Sequence, residues 1–252
     1  MSKPPVAAVT FDLWDTLFAD DSDEPKRAVM GLPPKREERR RLVHRFLDRR
    51  EPIARELVDV AFDTAEAAFN VVWSVHRATW TVHRRLEIVL AGLRRQLPEE
   101  DLVELIRLQE GMELEFRPDP VVGVREALAS LKPTYRLGVI SDAVFTPGRA
   151  LRRLLEGAGI EDLFDALIFS DEVGCSKPSV ESFRIAAEAL GVAPEAIAHV
   201  GDREEQDIVG AHEAGCRAVL CTVVKDRGSA STEADAILRD FHDLRSVIDS
   251  LR

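Results

Sequence analysis

Residues 6–17 read VAAVTFDLWDTL, a mostly apolar run that stops at Asp12. Apolar residues without alternation are typical of a β-strand buried on both faces, as in a parallel sheet covered by helices. Such a strand cannot bury its surface alone. The stretch therefore predicts a strand that must pair with others from later in the chain.

The region from about residue 121 onward alternates between strand and helix patterns. Strands are predicted at 135–140, 166–169, 197–200 and 217–222, with helices near 147–156, 180–190 and 204–214. This alternation predicts a parallel sheet with right-handed crossovers. The expected fold class is therefore α/β, with a Rossmann-like core of three layers that includes the strand before Asp12.

The region between these two parts reads as helical. Neither Gly nor Pro occurs between Ile53 and Ala91, and prolines at 118 and 120 interrupt the pattern. We therefore expect two domains: an α/β core formed by residues 1–17 and 118–252, and an inserted all-helical domain formed by residues 18–117. Residues 35–41, KREERRR, mix both charges and are interpreted as a solvated helix face.

Composition narrows the functional class. The formal net charge of -11 disfavours a nucleic-acid partner, because phosphate contacts need Lys or Arg. Three cysteines without a CxxC pair argue against a disulfide framework or a zinc site. No apolar run approaches the roughly 20 residues of a membrane span, and no export signal is recognisable. We expect a cytoplasmic protein, monomeric or homodimeric, that contacts no membrane.

Polar side chains follow four predicted strands at their carboxyl ends, where open parallel sheets bind ligands. They are Asp12, Ser141-Asp142, Ser170-Asp171 and Gly201-Asp202. Any one of them alone would be read as a turn or cap residue, but four together favour a site. Clustered carboxylates stay ionised only around a cation, and oxygen ligands suit Mg²⁺. Lys177 would add a positive charge to the same cluster.

These residues resemble the four signature motifs of the haloacid dehalogenase superfamily. The first reads FDLWDTL at 11–17, the second is a strand that ends at Ser141, the third is Lys177-Pro178, and the fourth reads GDREEQD at 201–207. The helical insert directly after the first motif resembles that superfamily's type 1 cap domain. The resemblance covers roughly residues 6–20 and 118–225.

The resemblance implies a magnesium-dependent hydrolase, and specifically a phosphatase acting on a small phosphorylated metabolite. Asp12 would be the nucleophile that forms an aspartyl-phosphate. Mg²⁺ would be held by Asp12, the backbone carbonyl of Trp14 and Asp202, with Asp207 supporting the ion through water or through hydrogen bonds to its ligands. Catalysis and substrate binding would also involve Ser141 and Lys177, and further substrate-binding candidates are Thr16 and Asp142.

One position departs from the family pattern. Family phosphatases carry a second Asp two residues after the nucleophile as general acid and base, and this chain has Trp14 there. Asp15 follows, but neighbouring residues of an extended segment point to opposite sides. Three interpretations remain: a phosphatase that takes its proton from water, the substrate or the cap; a 2-haloacid dehalogenase-type hydrolase; and a catalytically weak member that binds a phosphorylated ligand. The acidic pair Asp202 and Asp207 favours the first over the second.

Four aromatic or histidine residues of the cap are spaced so that one continuous helix would place them on a shared face: Trp73, His76, Trp80 and His83. Such a face would be either a substrate pocket with His76 as a spare acid or, preferably, the cap's own core with half-buried histidines. A helix break near residues 78–79 would undo this arrangement.

Overall fold

Six parallel strands build the central sheet. The computed structural model describes residues 4–251, so residues 1–3 and 252, which the predicted core includes, lie outside the description. The strands are β1 (Ala8–Phe11), β2 (Arg136–Ser141), β3 (Ala166–Phe169), β4 (Ile197–Gly201), β5 (Arg217–Cys221) and β6 (Ala236–Leu238), and they lie in the order β3-β2-β1-β4-β5-β6. The Rossmann-like α/β fold class is confirmed. Strand β6 is too short to show a pattern, and the sequence did not predict it.

Strand β1 lies in the middle of the sheet between β2 and β4. Phe11 is aligned with Val139 on one side and Val200 on the other, so the residue after Phe11 emerges at the carboxyl edge. Val9 and Phe11 pack into one hydrophobic cluster and Ala8 into a second one on the opposite face. The strand is buried on both faces, as its composition predicts.

Six helices lie between β1 and residue 117: α1 (Glu24–Val29), α2 (Lys35–Asp48), α3 (Arg55–His76), α4 (Val82–Gly92), α5 (Glu99–Glu110) and α6 (Met112–Glu115). Side chains from α2 to α6 form one hydrophobic cluster that is separate from those of the sheet. Phe18 instead packs into a cluster of the sheet. The helical character of this region agrees with its sequence, while the domain boundaries at 17/18 and 117/118 remain a prediction.

Six further helices cover the sheet: α7 (Val124–Leu131), α8 (Gly148–Gly157), α9 (Ser170–Val173), α10 (Val180–Leu190), α11 (Gly210–Glu213) and α12 (Leu244–Ser250). Helices α7, α8 and α12 pack on the face that holds Phe11, whereas α10 and α11 pack on the other. This arrangement gives the three expected layers. The helix predicted at 204–214 begins as a π-helix over Glu204–Val209 before α11 continues it.

The apolar pattern between residues 53 and 91 is interrupted. Helix α3 ends at His76, Arg77 adopts a left-handed conformation with φ of 51°, and α4 begins only at Val82. The shared face therefore does not form. His76 and His83 are both exposed, so neither the predicted pocket acid nor the half-buried core histidines are found.

Within residues 4–251, none of the helices combines the length and the apolar composition that a bilayer-spanning segment needs.

Candidate active site

Three carboxylates meet at the carboxyl edge of the sheet. Asp12 follows β1 and Asp202 follows β4, while Asp207 comes from the π-helix that starts just after β4. One oxygen from each lies within 4.8 Å of the other two, and all three residues are buried. The parallel strands bring together these predicted site residues because their carboxyl ends share one edge.

Lys177 supplies the positive charge of this cluster. Its Nζ lies 2.6 Å from Asp207 Oδ1 and also forms an ion pair with Asp12, and the residue is only 3% exposed. Although burial disfavours the ammonium, the carboxylates of Asp12 and Asp207 raise the pKa of Lys177. Its backbone N–H donates to Asp142 Oδ1 at 3.0 Å, which ties the third motif to the end of β2.

The two buried carboxylates next to Lys177 differ in their affinity for protons. Burial raises the pKa of Asp12 to about 8, with Lys177 opposing the rise and Asp207 adding to it. Burial acts in the same direction on Asp207, but Lys177 and His199 hold its pKa well below the usual range. His199 is buried behind them, 3.3 Å from Asp207 and 2.9 Å from the Thr10 hydroxyl. Lys177 therefore favours the ionised form of Asp207 much more than that of Asp12.

The donor atoms of this edge fit a hard cation. Asp202 Oδ1, Ser141 Oγ and Thr16 Oγ1 are buried and have no hydrogen-bond partner among the described residues. Unpaired buried oxygens are costly, so these three atoms favour the binding of a cation or of a ligand at this edge of the sheet. Carboxylate and hydroxyl oxygens without nitrogen or sulfur ligands match Mg²⁺ and a phosphoryl group.

Asp15 is held by two cations of the loop after β5. Its backbone is left-handed, with φ of 54°, and its carboxylate accepts from Lys225 Nζ at 2.8 Å and Arg227 Nη2 at 2.7 Å. Arg227 also donates through Nε to Asp202 Oδ2 at 2.5 Å. Asp15 is therefore engaged in a buried salt bridge and does not line the cavity next to Asp12.

A cavity of about 270 Å³ lies between the helical insert and the sheet edge. The core lines it with Asp12, Trp14, Asp142, Val144, Phe145, Thr146, Lys177, Arg203 and Gln206, and the insert with Asp20, Asp21, Lys35, Arg39, Trp73 and Glu113. Trp73 Nε1 donates to Asp142 Oδ2 at 2.9 Å, which links the two parts. Trp14 thus forms part of the wall where the family's second Asp would stand.

The prediction of a solvated face at residues 35–41 is wrong for three of its cations. Lys35, Arg39 and Arg40 are 4%, 6% and 9% exposed. Lys35 is neutralised by Asp23 at 2.8 Å and Glu113 at 3.1 Å, which makes its burial affordable. Lys35 and Arg39 are four residues apart, which is about one helical turn. This spacing was the only signal in the sequence that they lie on the same side of α2.

Two other predicted features lie outside the cluster. Asp171 does not reach it, because its carboxylate accepts from the backbone N–H of Gly148 at 3.1 Å. Ser170 Oγ accepts from the Thr79 hydroxyl at 2.7 Å and from the backbone N–H of Ala143, in the loop after β2, at 2.9 Å. The third strand end therefore organises neighbouring loops rather than the cavity.

The sequence matches a known protein family over most of its length. The family model of the haloacid dehalogenase-like hydrolases matches residues 6–215. The phosphoserine phosphatase of Thermus thermophilus is 45% identical over 98 residues, which is 38% of this chain and 37% of that protein. The glyceraldehyde 3-phosphate phosphatase of Methanothermobacter thermautotrophicus is 39% identical over 107 residues, covering 42% of this chain and 45% of that protein. The chain therefore spans less than half the length of these relatives.

Solved structures resemble the whole chain. A HAD phosphatase from Thermococcus onnurineus has a TM-score of 0.64 at 24% identity, covering 96% of this chain and 98% of that one. A 2-haloacid dehalogenase from Pseudomonas syringae has a TM-score of 0.64 at 21% identity, covering 98% of this chain and 100% of that one. At this identity the likeness shows the fold alone. The family model, which matches residues 6–215, shows that the chain belongs to the haloacid dehalogenase-like hydrolases.

Proposed function

We propose that the protein is a magnesium-dependent phosphatase that hydrolyses a small phosphorylated metabolite through an aspartyl-phosphate on Asp12. The single observation that carries this proposal is the buried cluster of Asp12, Asp202 and Asp207 within 4.8 Å, next to Lys177. The names of the matching relatives, a phosphoserine phosphatase and a glyceraldehyde 3-phosphate phosphatase, support the same reaction class.

Asp12 is the nucleophile of the proposed reaction. An oxygen of Asp12 attacks the phosphorus, the bond from phosphorus to the leaving oxygen breaks, and the leaving alkoxide takes up a proton. Water then cleaves the acyl phosphate, which releases inorganic phosphate and restores Asp12. Lys177 and Ser141 would hold the phosphoryl oxygens and stabilise the charge that develops on them.

Asp12, the carbonyl of Trp14 and Asp202 would hold Mg²⁺, with Asp207 supporting them. The ion would supply positive charge between an anionic nucleophile and an anionic phosphate. The raised pKa of Asp12, which burial brings to about 8, supports the proposal of a cation, since only the ionised carboxylate attacks. A cation beside Asp12 favours that ionised form.

The leaving group needs a proton that Trp14 cannot give. The insert contributes three carboxyl groups to the cavity, from Asp20, Asp21 and Glu113. Burial, together with the charge of Asp21, raises the pKa of Asp20 to about 6. A share of the molecules therefore carries a proton on Asp20 near neutral pH. This supports the interpretation in which a cap residue replaces the missing acid.

The test compares two variants on a generic aryl phosphate. Hydrolysis should require Mg²⁺, stop in EDTA and fall by at least roughly 10³-fold in Asp12→Asn, since the nucleophile is lost. Asp171→Asn is the matched control, because this strand-end carboxylate holds the Gly148 N–H outside the cavity. Its activity should stay within a few-fold of the wild type.

The same preparations distinguish the alternatives. Activity that survives both EDTA and Asp12→Asn would exclude this mechanism. Halide release from 2-haloacids without Mg²⁺, and no phosphate release, would identify a dehalogenase. Thermal stabilisation by phosphorylated metabolites with no product from any of them would identify a binding protein.

A further inference from the structure

Arg39 is a buried cation without an ionic partner. It lies on α2, is 6% exposed, and its side chain lines the cavity next to Asp12. Its guanidinium carbon sits 3.7 Å from the centroid of the Phe145 ring, and its Nε has no hydrogen-bond partner. Within residues 4–251 it forms no ion pair. An aromatic face holds a cation without using its N–H donors, so these donors remain available.

The other buried cations of the cavity differ from Arg39 in this respect. Lys35 contacts Asp23 and Glu113, at 2.8 and 3.1 Å, and Lys177 contacts Asp12 and Asp207. Burial of a charge is tolerated when such partners are present and is costly when they are not. Burial lowers the pKa of Arg39, with more distant carboxylates opposing that effect. An anion that enters from the cavity would supply the missing partner.

We propose that Arg39 binds a carboxylate of the substrate, so that the preferred substrates are small phosphate esters of carboxylic acids. This inference rests on the proposed function, because it assigns the phosphoryl group to the Asp12 end of the same cavity. The planar fork of a guanidinium matches a carboxylate in two parallel hydrogen bonds.

The cavity decides between a carboxylate and a second phosphate. Its volume of about 270 Å³ accommodates a phosphoryl group together with a carboxylate-bearing carbon skeleton. The insert also lines it with Asp20, Asp21 and Glu113. A second phosphate would bring nearly two negative charges close to these carboxyl groups, whereas a carboxylate brings one.

The experiment compares 3-phosphoglycerate with glycerol 3-phosphate. The first compound carries a carboxylate where the second carries a hydroxymethyl group. A hydrogen-bonded charge pair predicts that kcat/KM of the wild type is roughly 10- to 100-fold higher for 3-phosphoglycerate. Arg39→Met keeps the packing on Phe145 and should abolish this preference, mainly through KM. Arg39→Lys keeps the charge and should retain part of it.

Arg85→Met is the matched control. Arg85 is also buried and lies 4.0 Å from the centroid of the same Phe145 ring, but it is paired with Glu66 at 3.0 Å and does not line the cavity. Its substitution should leave the ratio of the two kcat/KM values unchanged. Equal activity of the wild type on both compounds, or an unchanged ratio in Arg39→Met, would overturn the proposal.

Thermal shifts with the two compounds in Mg²⁺ separate this inference from the proposed function. If no phosphate ester is hydrolysed, the enzymatic proposal fails. The Arg39 site still stands in that case if 3-phosphoglycerate stabilises the wild type more than glycerol 3-phosphate does and Arg39→Met removes the difference. Hydrolysis of aryl phosphate with no discrimination between the two compounds refutes the Arg39 site alone.

Discussion

Replacing Asp12 by asparagine should make the metal-free protein more stable while it destroys activity. Asp12 has carboxylate neighbours in Asp202 and Asp207 at no more than 4.8 Å. At an effective dielectric constant of about 20, each such pair repels by at least about 3.5 kcal/mol. The variant loses these two repulsions and also the attraction to Lys177, which is about as large as both together because that pair is closer. What remains is the cost of burying the Asp12 charge, which the neutral asparagine avoids. We therefore expect a net gain of about 1–3 kcal/mol, or about 2–12 °C in Tm for a chain of this length.

The stability gain of Asp12→Asn should increase with pH. Burial raises the pKa of Asp12 to about 8, whereas an unfolded chain releases this proton near pH 4. Between these values the metal-free folded state binds more protons than the unfolded state, so its stability falls as pH rises. The asparagine variant lacks this titration. Its advantage over the wild type should therefore grow from about pH 4 to about pH 8.

The assay is a thermal melt in EDTA at pH 5 and pH 8, repeated with Mg²⁺. Mg²⁺ should raise the Tm of the wild type through binding to the native state, and raise that of Asp12→Asn much less. Asp165→Asn is a control for which we expect the opposite change in Tm. Asp165 is paired with Lys132 at 2.9 Å, so its substitution should lower the Tm of the protein. An asparagine variant at Asp12 that is no more stable than the wild type at pH 8 in EDTA would refute this account of the cluster.

Three further substitutions test individual positions. Trp14→Asp should raise the turnover of alkyl phosphates by roughly 10²-fold or more, since it restores a general acid, and should change the turnover of aryl phosphates little. Unchanged steady-state kinetics would mean that another group supplies the proton. Asp20→Asn should slow alkyl phosphates selectively below pH 6, where its carboxyl is protonated, and a flat ratio of alkyl to aryl rates across pH would contradict this. Gly201→Ala would place a Cβ 2.3 Å from Asp207 Cγ, so it should weaken Mg²⁺ binding as measured by titration calorimetry. Gly92→Ala is the control, because its Cβ meets no atom within 4 Å and Mg²⁺ binding should stay unchanged.

The acidic residues at the strand ends were predictable because their positions depend on local pattern and on one rule of topology. Apolar runs mark the strands, and parallel strands deliver their carboxyl ends to the same edge. The structure accordingly brings Asp12, Asp202 and Asp207 together. The same rule failed for Asp171, because α9 begins directly after β3 and turns that carboxylate toward the start of α8.

The composition of the cavity wall was not predictable in this way. The sequence by itself determined the α/β fold, the helical insert and the acidic cluster, since each follows from neighbouring residues and strand order. Only the tertiary structure decided that Arg39 is buried over Phe145, and that Asp15 is held by Lys225 and Arg227, 210 and 212 residues away. A charged side chain becomes buried only where partners from other elements offset its lost hydration, and those partners are set by packing rather than by the local sequence.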